Sequence, residues 1–371
     1  MASLAKRPDG RWRARYRDSS GREHAQHFSR KLDAQRWLDE TTAAVVTGSY
    51  VDPRKSRITV GDWAPRWLAA QGQLKPSTRA RYAGILRVHV LPNWGPVFLA
   101  DVTHEDVASW VSSLRLASAT VRQVHRVFSL VLDLAVRDGR LARNPAARVP
   151  LPRAARPDKR FLTHTEVDNL ARAAGRYDTA IRVLAFTGLR FGELAALRVR
   201  RVDLLRRRIE VAESVTEVGG RAEFGTPKTH QRRTVPVPRS LTDALAEQMA
   251  TKTPDDYVFT AEKGGVLRLR NWRRDVFDPA ALAAGLTGLT PHDLRHTAAS
   301  LAVSAGANVK AVQRLLGHAS AAMTLDVYSG LFDDDLDALA DRLEEHSARF
   351  LADQVRTAAP VIDIHGGRIT R

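Results

Sequence analysis

Four segments far apart in the chain carry arginine, lysine, histidine and tyrosine side chains that could act together on an anionic substrate. Arginine supplies a permanent bidentate charge, imidazole accepts or relays protons, and a tyrosine hydroxyl becomes a nucleophile once it loses its proton. Each segment alone says little, but all of them in this order, ending in tyrosine, indicate one catalytic constellation. The segments are Thr187-Gly188-Leu189-Arg190-Phe191-Gly192-Glu193-Leu194, Pro227-Lys228-Thr229 with Arg232-Arg233-Thr234-Val235-Pro236, Pro291-His292-Asp293-Leu294-Arg295-His296-Thr297, and Leu315-Leu316-Gly317-His318 with Tyr328 ten residues later.

In order and spacing these segments resemble the tyrosine recombinases, the family of phage integrases and bacterial chromosome-dimer resolving recombinases. The resemblance covers residues 59 to about 340. It implies a site-specific DNA strand transferase in which Tyr328 forms a 3′-phosphotyrosine link and frees a 5′ hydroxyl. A 5′ hydroxyl of the partner duplex would then reseal the DNA by way of a Holliday junction. Because the covalent link stores the bond energy, the resemblance implies no cofactor and no metal.

The chemistry of a phosphodiester explains why these residue types are needed together. Its transition state gains negative charge, which the guanidiniums of Arg190 and Arg295 could neutralise. The hydroxyl of Tyr328 must lose its proton as it attacks, and His292 is the candidate base. Glu193 follows Arg190 by three residues on the same helical face, so it is expected to orient Arg190 or His292.

Three further side chains near the constellation differ in what they imply. His318 could donate a hydrogen bond to a phosphoryl oxygen. Lys228, on a mobile hairpin loop, could protonate the leaving 5′ oxygen, although Lys252 and Lys263 also lie nearby in the sequence. His296 is expected to be a core residue or a support for the active pair.

The net charge indicates a polyanionic partner. The formal charge is +17 and the isoelectric point is near 10.8, which favours DNA but also allows RNA or an anionic membrane. Residues 329–371 carry a net charge of −4, which leaves +21 for the first 328 residues. A GC-rich genome would raise the arginine count without segregating the charge in this way.

Composition excludes several classes of protein. The chain has no cysteine, so thiol nucleophiles, disulfides and cysteine zinc sites are ruled out. It has no apolar run long enough to span a membrane, and residues 1–8 do not resemble a signal peptide. We expect a cytoplasmic, DNA-associated protein.

The elements that must position these residues suggest a multidomain, mainly helical fold. We expect strands at Arg207–Glu217 and Thr234–Val237 around the loop that holds Lys228, and a helix over Thr297–Ala305. With the family resemblance, the expected domains are an arm-type DNA-binding module of a small sheet plus a helix (residues 1–55), a helical-bundle core-binding domain (56–148), a linker (149–160), a mixed α+β catalytic domain (161–345) and a C-terminal tail (346–371).

The N-terminal module alternates arginine with small or aromatic residues, which predicts a half-buried strand. Its face of Arg11, Arg13, Arg15 and Arg17 could lie in the DNA major groove. The alternative is a solvated edge strand whose charges prevent aggregation. The module loosely resembles the arm-binding domain of phage integrases. That resemblance implies binding to core and arm attachment sites at once, with a host DNA-bending factor and a phage directionality factor.

The helical segment is expected to form a compact bundle of about four helices. Ser118 could cap one helix, and another is expected to end at Leu91-Pro92. Three of its cations, Lys75, Arg79 and Arg122, could bind DNA phosphates or could belong to ordinary solvated faces.

The acidic tail predicts an amphipathic helix from Asp333, with Leu336, Leu339, Leu343 and Phe350 along one face. Its charge would repel DNA, so we expect it to contact protein. The family packs such a helix onto a neighbour in a cyclic homotetramer, whereas the alternative is docking onto its own domain.

Three other interpretations remain open at this point. The chain could be a chromosomal or genomic-island recombinase, or a non-catalytic DNA-binding regulator that kept the fold. It could also be a type IB topoisomerase, against which the arm-like module and the linker argue.

Overall fold

A computed structural model describes residues 2–17, 21–47, 50–51, 53–153, 159–226, 232–329, 341, 343–345 and 347–352. The chain forms two compact units, residues 1–157 and 158–371. Both units are mainly helical, with small antiparallel sheets. Of the helices described, none has the length and apolar character needed to cross a membrane.

The first unit opens with a three-stranded antiparallel sheet in the order β1-β2-β3. The strands and their helix are β1 (Ser3–Lys6), β2 (Trp12–Arg17), β3 (Glu23–Phe28) and α1 (Lys31–Val46). Ala14 and Tyr16 are buried with Ala34 and Leu38 of α1, so the alternate residues of β2 face the other way. Because β2 is the central strand, the alternative of a solvated edge strand is wrong.

The rest of this unit is a helical bundle with a core of its own. Trp63 and Trp67 pack in that core, and Thr59 caps their helix by accepting from the N–H of Asp62. The helices are α2 (Pro53–Ser56), α3 (Val60–Ala69), α4 (Pro76–Ile85), α5 (Leu91–Trp94), α6 (His104–Ser113) and α7 (Ser118–Arg137).

Two expected helix boundaries in the bundle are wrong. The chain does not leave the helical path at Leu91-Pro92, because a π-helical turn at Leu86–Val90 leads directly into α5. Pro92 lies within this continuous path, directly after the π-helical turn, and has no N–H to donate to the preceding turn. Ser118 does not cap α7 but is its first residue, and the preceding Ala117 makes no side-chain cap.

The second unit surrounds a larger core with helices and two small sheets. One sheet has the strand order β4-β5-β8, and the other is the hairpin β6-β7. Its elements are α8 (His164–Ala173), α9 (Asp178–Thr187), α10 (Phe191–Ala195), β4 (Val202–Asp203), β5 (Arg208–Val211), β6 (Ser214–Val218), β7 (Arg221–Gly225), β8 (Arg233–Pro236), α11 (Thr242–Met249), α12 (Leu269–Trp272), α13 (Asp278–Ala283), α14 (Pro291–Ser304), α15 (Val309–Leu316) and α16 (Ala321–Tyr328).

Two expectations for this unit need correction. The segment Arg207–Glu217 is not one strand, because β5 pairs with β4 and β8 whereas β6 pairs only with β7. The helix expected at Thr297 begins six residues earlier, at Pro291, so the third motif lies on the helix. The strand expected at Thr234–Val237 is confirmed as β8.

The bundle core generates a prediction about stability. Phe128 is fully buried and its ring lies 5.1 Å from the ring of Trp94 and 5.4 Å from that of Trp110. Phe128→Ala should lower the free energy of unfolding by about 3–5 kcal/mol, because it removes apolar contacts and leaves a cavity. The measurement is urea unfolding followed by tryptophan fluorescence.

Six of the seven tryptophans lie in residues 1–157, so the fluorescence signal reports mainly on that unit. Val88→Ala is the matched control, because Val88 is 57 % exposed and its truncation should change stability by less than about 0.5 kcal/mol. Equal losses for the two variants would contradict the assignment of Phe128 to the core.

Candidate active site

Helix α14 carries three histidine and arginine side chains of the third motif: His292, Arg295 and His296. Thr290 precedes the helix, and its N–H and hydroxyl both donate to Asp293 Oδ2 at 2.7 Å. Pro291 occupies the first turn, where no N–H is needed. Because the three side chains are spaced by three and four residues, they project from one side of the helix.

Arg295 is buried, with 2 % of its surface exposed. Its guanidinium donates to the backbone carbonyls of Gly188 and Leu316, each at 2.5 Å. These carbonyls lie at the ends of α9 and α15, where the last carbonyls of a helix lack intrahelical partners. Burial, and then the charges of Arg190 and Arg233, lower the pKa of Arg295 to about 9, so the group remains charged at neutral pH.

Glu193 is a buried carboxylate that receives two arginines. Its Oε1 accepts from Arg190 Nη1 at 2.9 Å, and its Oε2 accepts from the Arg190 backbone N–H at 2.9 Å. Arg233 donates to both oxygens, at 2.9 and 2.6 Å. Burial acts to raise the pKa of Glu193, but the hydrogen bonds and charges of Arg233 and Arg190 outweigh it and lower the pKa. Glu193 therefore contacts Arg190, one of the two partners expected for it.

Gly317 makes room for Arg233. It ends α15 with a φ of +64°, a left-handed conformation that favours glycine. A Cβ added there would lie 2.7 Å from Cδ of Arg233 and 3.1 Å from its Nε. The aliphatic part of Arg233 therefore passes against the Gly317 backbone on its way to Glu193.

His318 follows this turn and faces the tyrosine. Its Nδ1 lies 3.0 Å from Oγ1 of Thr324, and its ring is stacked on that of Tyr328 with centroids 6.4 Å apart. Burial, and then the charges of Arg295, Arg190 and Arg233, lower the pKa of His318 to about 4. The ring is therefore neutral at neutral pH.

Tyr328 is the last residue of α16 and is 2 % exposed. Its hydroxyl lies 2.8 Å from Nδ1 of His296. The ammonium of Lys159 lies 5.8 Å from the centre of its ring and donates to the carbonyl of Val327 at 2.6 Å, while Phe161 packs beside it. Burial raises the pKa of Tyr328 to about 12, although Arg295 opposes that shift.

The structure brings four of the expected side chains together near Tyr328 and Glu193. Arg190, Arg295 and His318 have the contacts given above. His292 is exposed, and its ring packs edge to face against that of His296 with centroids 4.9 Å apart. Lys228 lies outside the described residues, as does the rest of the segment 227–231.

Comparison with known proteins identifies the family. The chain matches the Phage integrase family over residues 160–334, the Phage integrase central domain over 60–150 and the Phage integrase N-terminal domain over 3–47. It is 33% identical over 252 residues to the tyrosine recombinase XerC of Roseiflexus castenholzii, a match that covers 62% of this chain and 75% of that relative. The chain belongs to the tyrosine recombinases of the phage integrase family.

Two further similarities agree with this assignment. The recombinase is 28% identical over 317 residues to the integrase of Mycobacterium phage L5, covering 81% of this chain and 85% of that protein. A lambda integrase tetramer bound to a Holliday junction superimposes with a TM-score of 0.57 at 20% identity, over 85% of this chain and 95% of that one. The likeness to the solved structure concerns the fold, and the relatives identify a site-specific tyrosine recombinase of the phage integrase type.

The arginines of the N-terminal module share one acidic neighbour. Arg13, Arg15 and Arg17 lie on one face of β2, each within 4 Å of a Glu23 carboxylate oxygen. Arg11 precedes the strand, and its backbone N–H donates to Asp9. The expected face therefore holds three of the four arginines within β2, and Glu23 offsets part of their charge.

The three cations expected to bind DNA from the helical bundle lie at its surface. Lys75 immediately precedes α4 and is half-buried, whereas Arg79 in the first turn of α4 is exposed. Arg122 is exposed on α7 and donates to the carbonyl of Pro152 at 3.2 Å.

The expected tail helix falls largely outside the described residues. Leu336 and Leu339 are among those left out, while residues 341, 343–345 and 347–352 are helical. Leu343 and Phe350 are 62 % and 59 % exposed.

Sequence reasoning missed two side chains of the recombinase site. The motif that contains Arg233 assigns it no role, although alternation from the buried Val235 points it inward on β8. His296 was expected to be a core or supporting residue, although its spacing of four from His292 places both on one side of α14. In the structure Arg233 contacts Glu193, and His296 contacts the nucleophile candidate.

The buried carboxylate generates a prediction about stability and pH. Glu193→Gln should destabilise the second unit by about 3–5 kcal/mol at neutral pH, because it leaves the buried charge of Arg233 uncompensated. The pKa of Glu193 is lowered on folding, so its stabilising contribution is present above the ordinary value of 4.5 and is lost as pH falls through the lowered folded value. The difference between wild type and variant should therefore shrink in acid.

Hydrogen exchange of peptides from residues 158–371, followed against urea, measures this difference. Glu210→Gln is the control, since Glu210 pairs with Arg201 but its side chain is 36% exposed, and it should cost less than about 1 kcal/mol. A pH-independent difference for Glu193→Gln would show that the carboxylate charge does not stabilise the unit.

The close approach of Gly317 and Arg233 generates a second prediction. Gly317→Ala should reduce covalent attachment to DNA between about tenfold and about 100-fold, because the added methyl group displaces the side chain that holds Glu193. Gly285→Ala is the control: Gly285 has a φ of +73°, but a Cβ there would meet nothing within 4 Å. Unchanged attachment by Gly317→Ala would mean that the position of Arg233 does not matter for cleavage.

Proposed function

We propose that this recombinase is a phage-type integrase in which Tyr328 cleaves DNA and holds it as a 3′-phosphotyrosine. The observation that carries the proposal is the convergence of Tyr328 with Arg295, His318 and His296, beside the Arg190–Glu193–Arg233 group. Each of the four sequence segments contributes at least one of these side chains. Tyr328 would attack the phosphorus, and the bond to the 5′ oxygen would break.

The phosphate would be bound by Arg190, Arg295 and His318. Two guanidiniums neutralise the non-bridging oxygens as charge develops on them. His318 is neutral, so only one ring nitrogen carries a proton. If the Thr324 hydroxyl donates to Nδ1, that proton is on Nε2, from which His318 donates to a phosphoryl oxygen.

The proton transfers would involve Lys228 and the histidines of α14. We assign Lys228 as the acid that protonates the leaving 5′ oxygen, a role for which the sequence motif is the support. His292 is assigned to the nucleophile side, and its contact with the ring of His296 supports this. The reaction conserves bond energy in the phosphotyrosine, so strand exchange through a Holliday junction requires no cofactor.

The DNA contacts would be divided among the domains. We assign residues 1–55 to arm sites through Arg11, Arg13, Arg15 and Arg17. Residues 56–148 would bind core sites through Lys75, Arg79 and Arg122, with 149–160 as linker, 161–345 as catalytic domain and 346–371 as tail. The net charge of +21 over the first 328 residues supports this division.

The assembly on DNA would be a homotetramer. The tetrameric lambda integrase on a Holliday junction supports this state, and the exposed Leu343 and Phe350 offer an apolar contact for a neighbour. We propose that a host DNA-bending factor and a phage directionality factor assist in the cytoplasm of the host. Sequencing both ends of the mobile element that carries the gene would distinguish a genomic-island origin from a phage origin.

The central prediction is a covalent protein–DNA adduct that requires Tyr328. The protein is incubated with nicked duplexes tiled across the DNA that flanks its gene, and the adduct is detected as a shifted band on a denaturing gel. Tyr328→Phe should abolish the adduct, because it removes only the attacking oxygen. Tyr257→Phe is the control and should leave the adduct intact.

An adduct that survives Tyr328→Phe would refute the nucleophile assignment. Arg190→Lys and Arg295→Lys should each reduce adduct formation by about 100-fold or more, since lysine lacks the bidentate fork. DNA binding by wild type without any adduct on any duplex would favour the non-catalytic regulator instead.

A further inference from the structure

His296 is the group that meets the reacting atom of Tyr328. Its Nδ1 lies 2.8 Å from the tyrosine hydroxyl, within the range required of a general base. The two rings meet edge to face with centroids 5.7 Å apart. The tyrosine is 2 % exposed, so little bulk water reaches this contact. His292, to which the sequence motif assigns the base, is exposed, and its ring packs edge to face against the His296 ring.

We propose that His296 is a catalytic residue that takes the proton of Tyr328 directly, with His292 behind it. The inference rests on the proposed role of Tyr328 as nucleophile. As the bond from Tyr328 Oη to phosphorus forms, the hydroxyl proton moves to His296 Nδ1 and the bond from phosphorus to the 5′ oxygen breaks. The leaving oxygen takes its proton from the assigned acid, Lys228. In resealing, protonated His296 returns its proton to the departing oxygen of Tyr328, and the attacking 5′ hydroxyl returns its own to Lys228.

Burial and the charges around His296 keep its ring neutral, so that it has a free nitrogen to accept a proton. The groups that face it are His292, Asp293 and Arg295 from its own helix, Lys159 from the start of the unit, and His318 and Tyr328 from the α15–α16 segment. Burial and then His292 lower the pKa of His296 to about 4, with smaller contributions from Lys159 and Arg295, while Asp293 opposes them. His296 is therefore neutral before DNA binds.

A DNA phosphate entering beside Arg190 and Arg295 changes this balance. Its negative charge favours the imidazolium form of His296 and so raises the affinity of Nδ1 for the proton. Before DNA binds, the excess of positive charge disfavours the same transfer. His296 therefore takes up a proton more readily once the anionic substrate is bound.

The test separates proton transfer from mere placement of the phenol. His296→Asn puts an amide oxygen near the position of Nδ1, which can accept a hydrogen bond but cannot take up a proton near neutral pH. His296→Ala removes both functions, and His292→Asn is the matched control on the same helix. The rate of adduct formation on the nicked duplex is measured for the full-length protein between about pH 6 and about pH 9.

His296→Asn should slow adduct formation by about 10²–10⁴-fold at neutral pH, the range expected for loss of a general base. Its rate should rise about tenfold per pH unit, since the phenolate must then form without a base, whereas wild type should depend less on pH. His292→Asn should lose less than His296→Asn. Since asparagine is close in size to histidine, it keeps the test available even if His296→Ala does not fold.

A duplex with sulfur in place of the 5′ oxygen distinguishes the two ends of the reaction. A thiolate leaves without a proton, so this substrate should restore the rate of Lys228→Ala but not that of His296→Asn. A His296→Asn enzyme with the wild-type rate and pH profile would overturn the proposal and leave His296 as a placement residue. Absence of an adduct with wild-type protein would instead refute the role of Tyr328.

Discussion

Three guanidinium groups lie near one buried carboxylate in the second unit but only two of them contact it, and the rest of the site depends on that imbalance of charge. Glu193 accepts two hydrogen bonds from the guanidinium of Arg233 and one from that of Arg190, whereas within the described residues Arg295 donates to two neutral carbonyls. Burial, and then the positive charges of Arg190 and Arg233, lower the pKa of Arg295. Because folding has already brought these charges together, a phosphate finds its donors in place and need not reorganise them.

The ends of helices supply the geometry that makes this concentration of charge tolerable. Gly188 and Gly317 end α9 and α15 in left-handed conformations, and the carbonyls of Gly188 and Leu316 both accept from Arg295. At Gly188 a Cβ would lie 2.8 Å from a side-chain methyl of Leu316, so glycine gives that side chain room against the end of α9. One buried arginine thereby joins α9, α14 and α15, and the same contacts that hold the fold orient the charge that we propose binds the phosphate.

Burial and, after it, the neighbouring charges act on the histidines around Tyr328. Together they lower the pKa values of His296 and His318 and keep both rings neutral, so each has one nitrogen to accept and one to donate. Burial meanwhile raises the pKa of the phenol to about 12, which leaves it a poor nucleophile on its own. Without a phosphate the tyrosine is therefore close to a base but protonated, and the arriving anion favours proton transfer and occupies the anion site at once.

The sequence predicted which motifs form the site better than it predicted which side chains contact one another. The motif around Arg295 and the final tyrosine could be located because each lies in a local pattern, and β8 followed from its alternation. Which imidazole of α14 meets Tyr328 depends instead on how α16 packs after the turn at Gly317, which no local pattern encodes. The inward direction of Arg233 could be predicted from its alternation with Val235 along β8. The structure agrees, because Val235 is buried and the side chain of the neighbouring Arg232 is 73% exposed. The spacing of three residues was enough to place Glu193 beside Arg190, but its pairing with Arg233 depends on the convergence of α10 and β8, which no local pattern encodes.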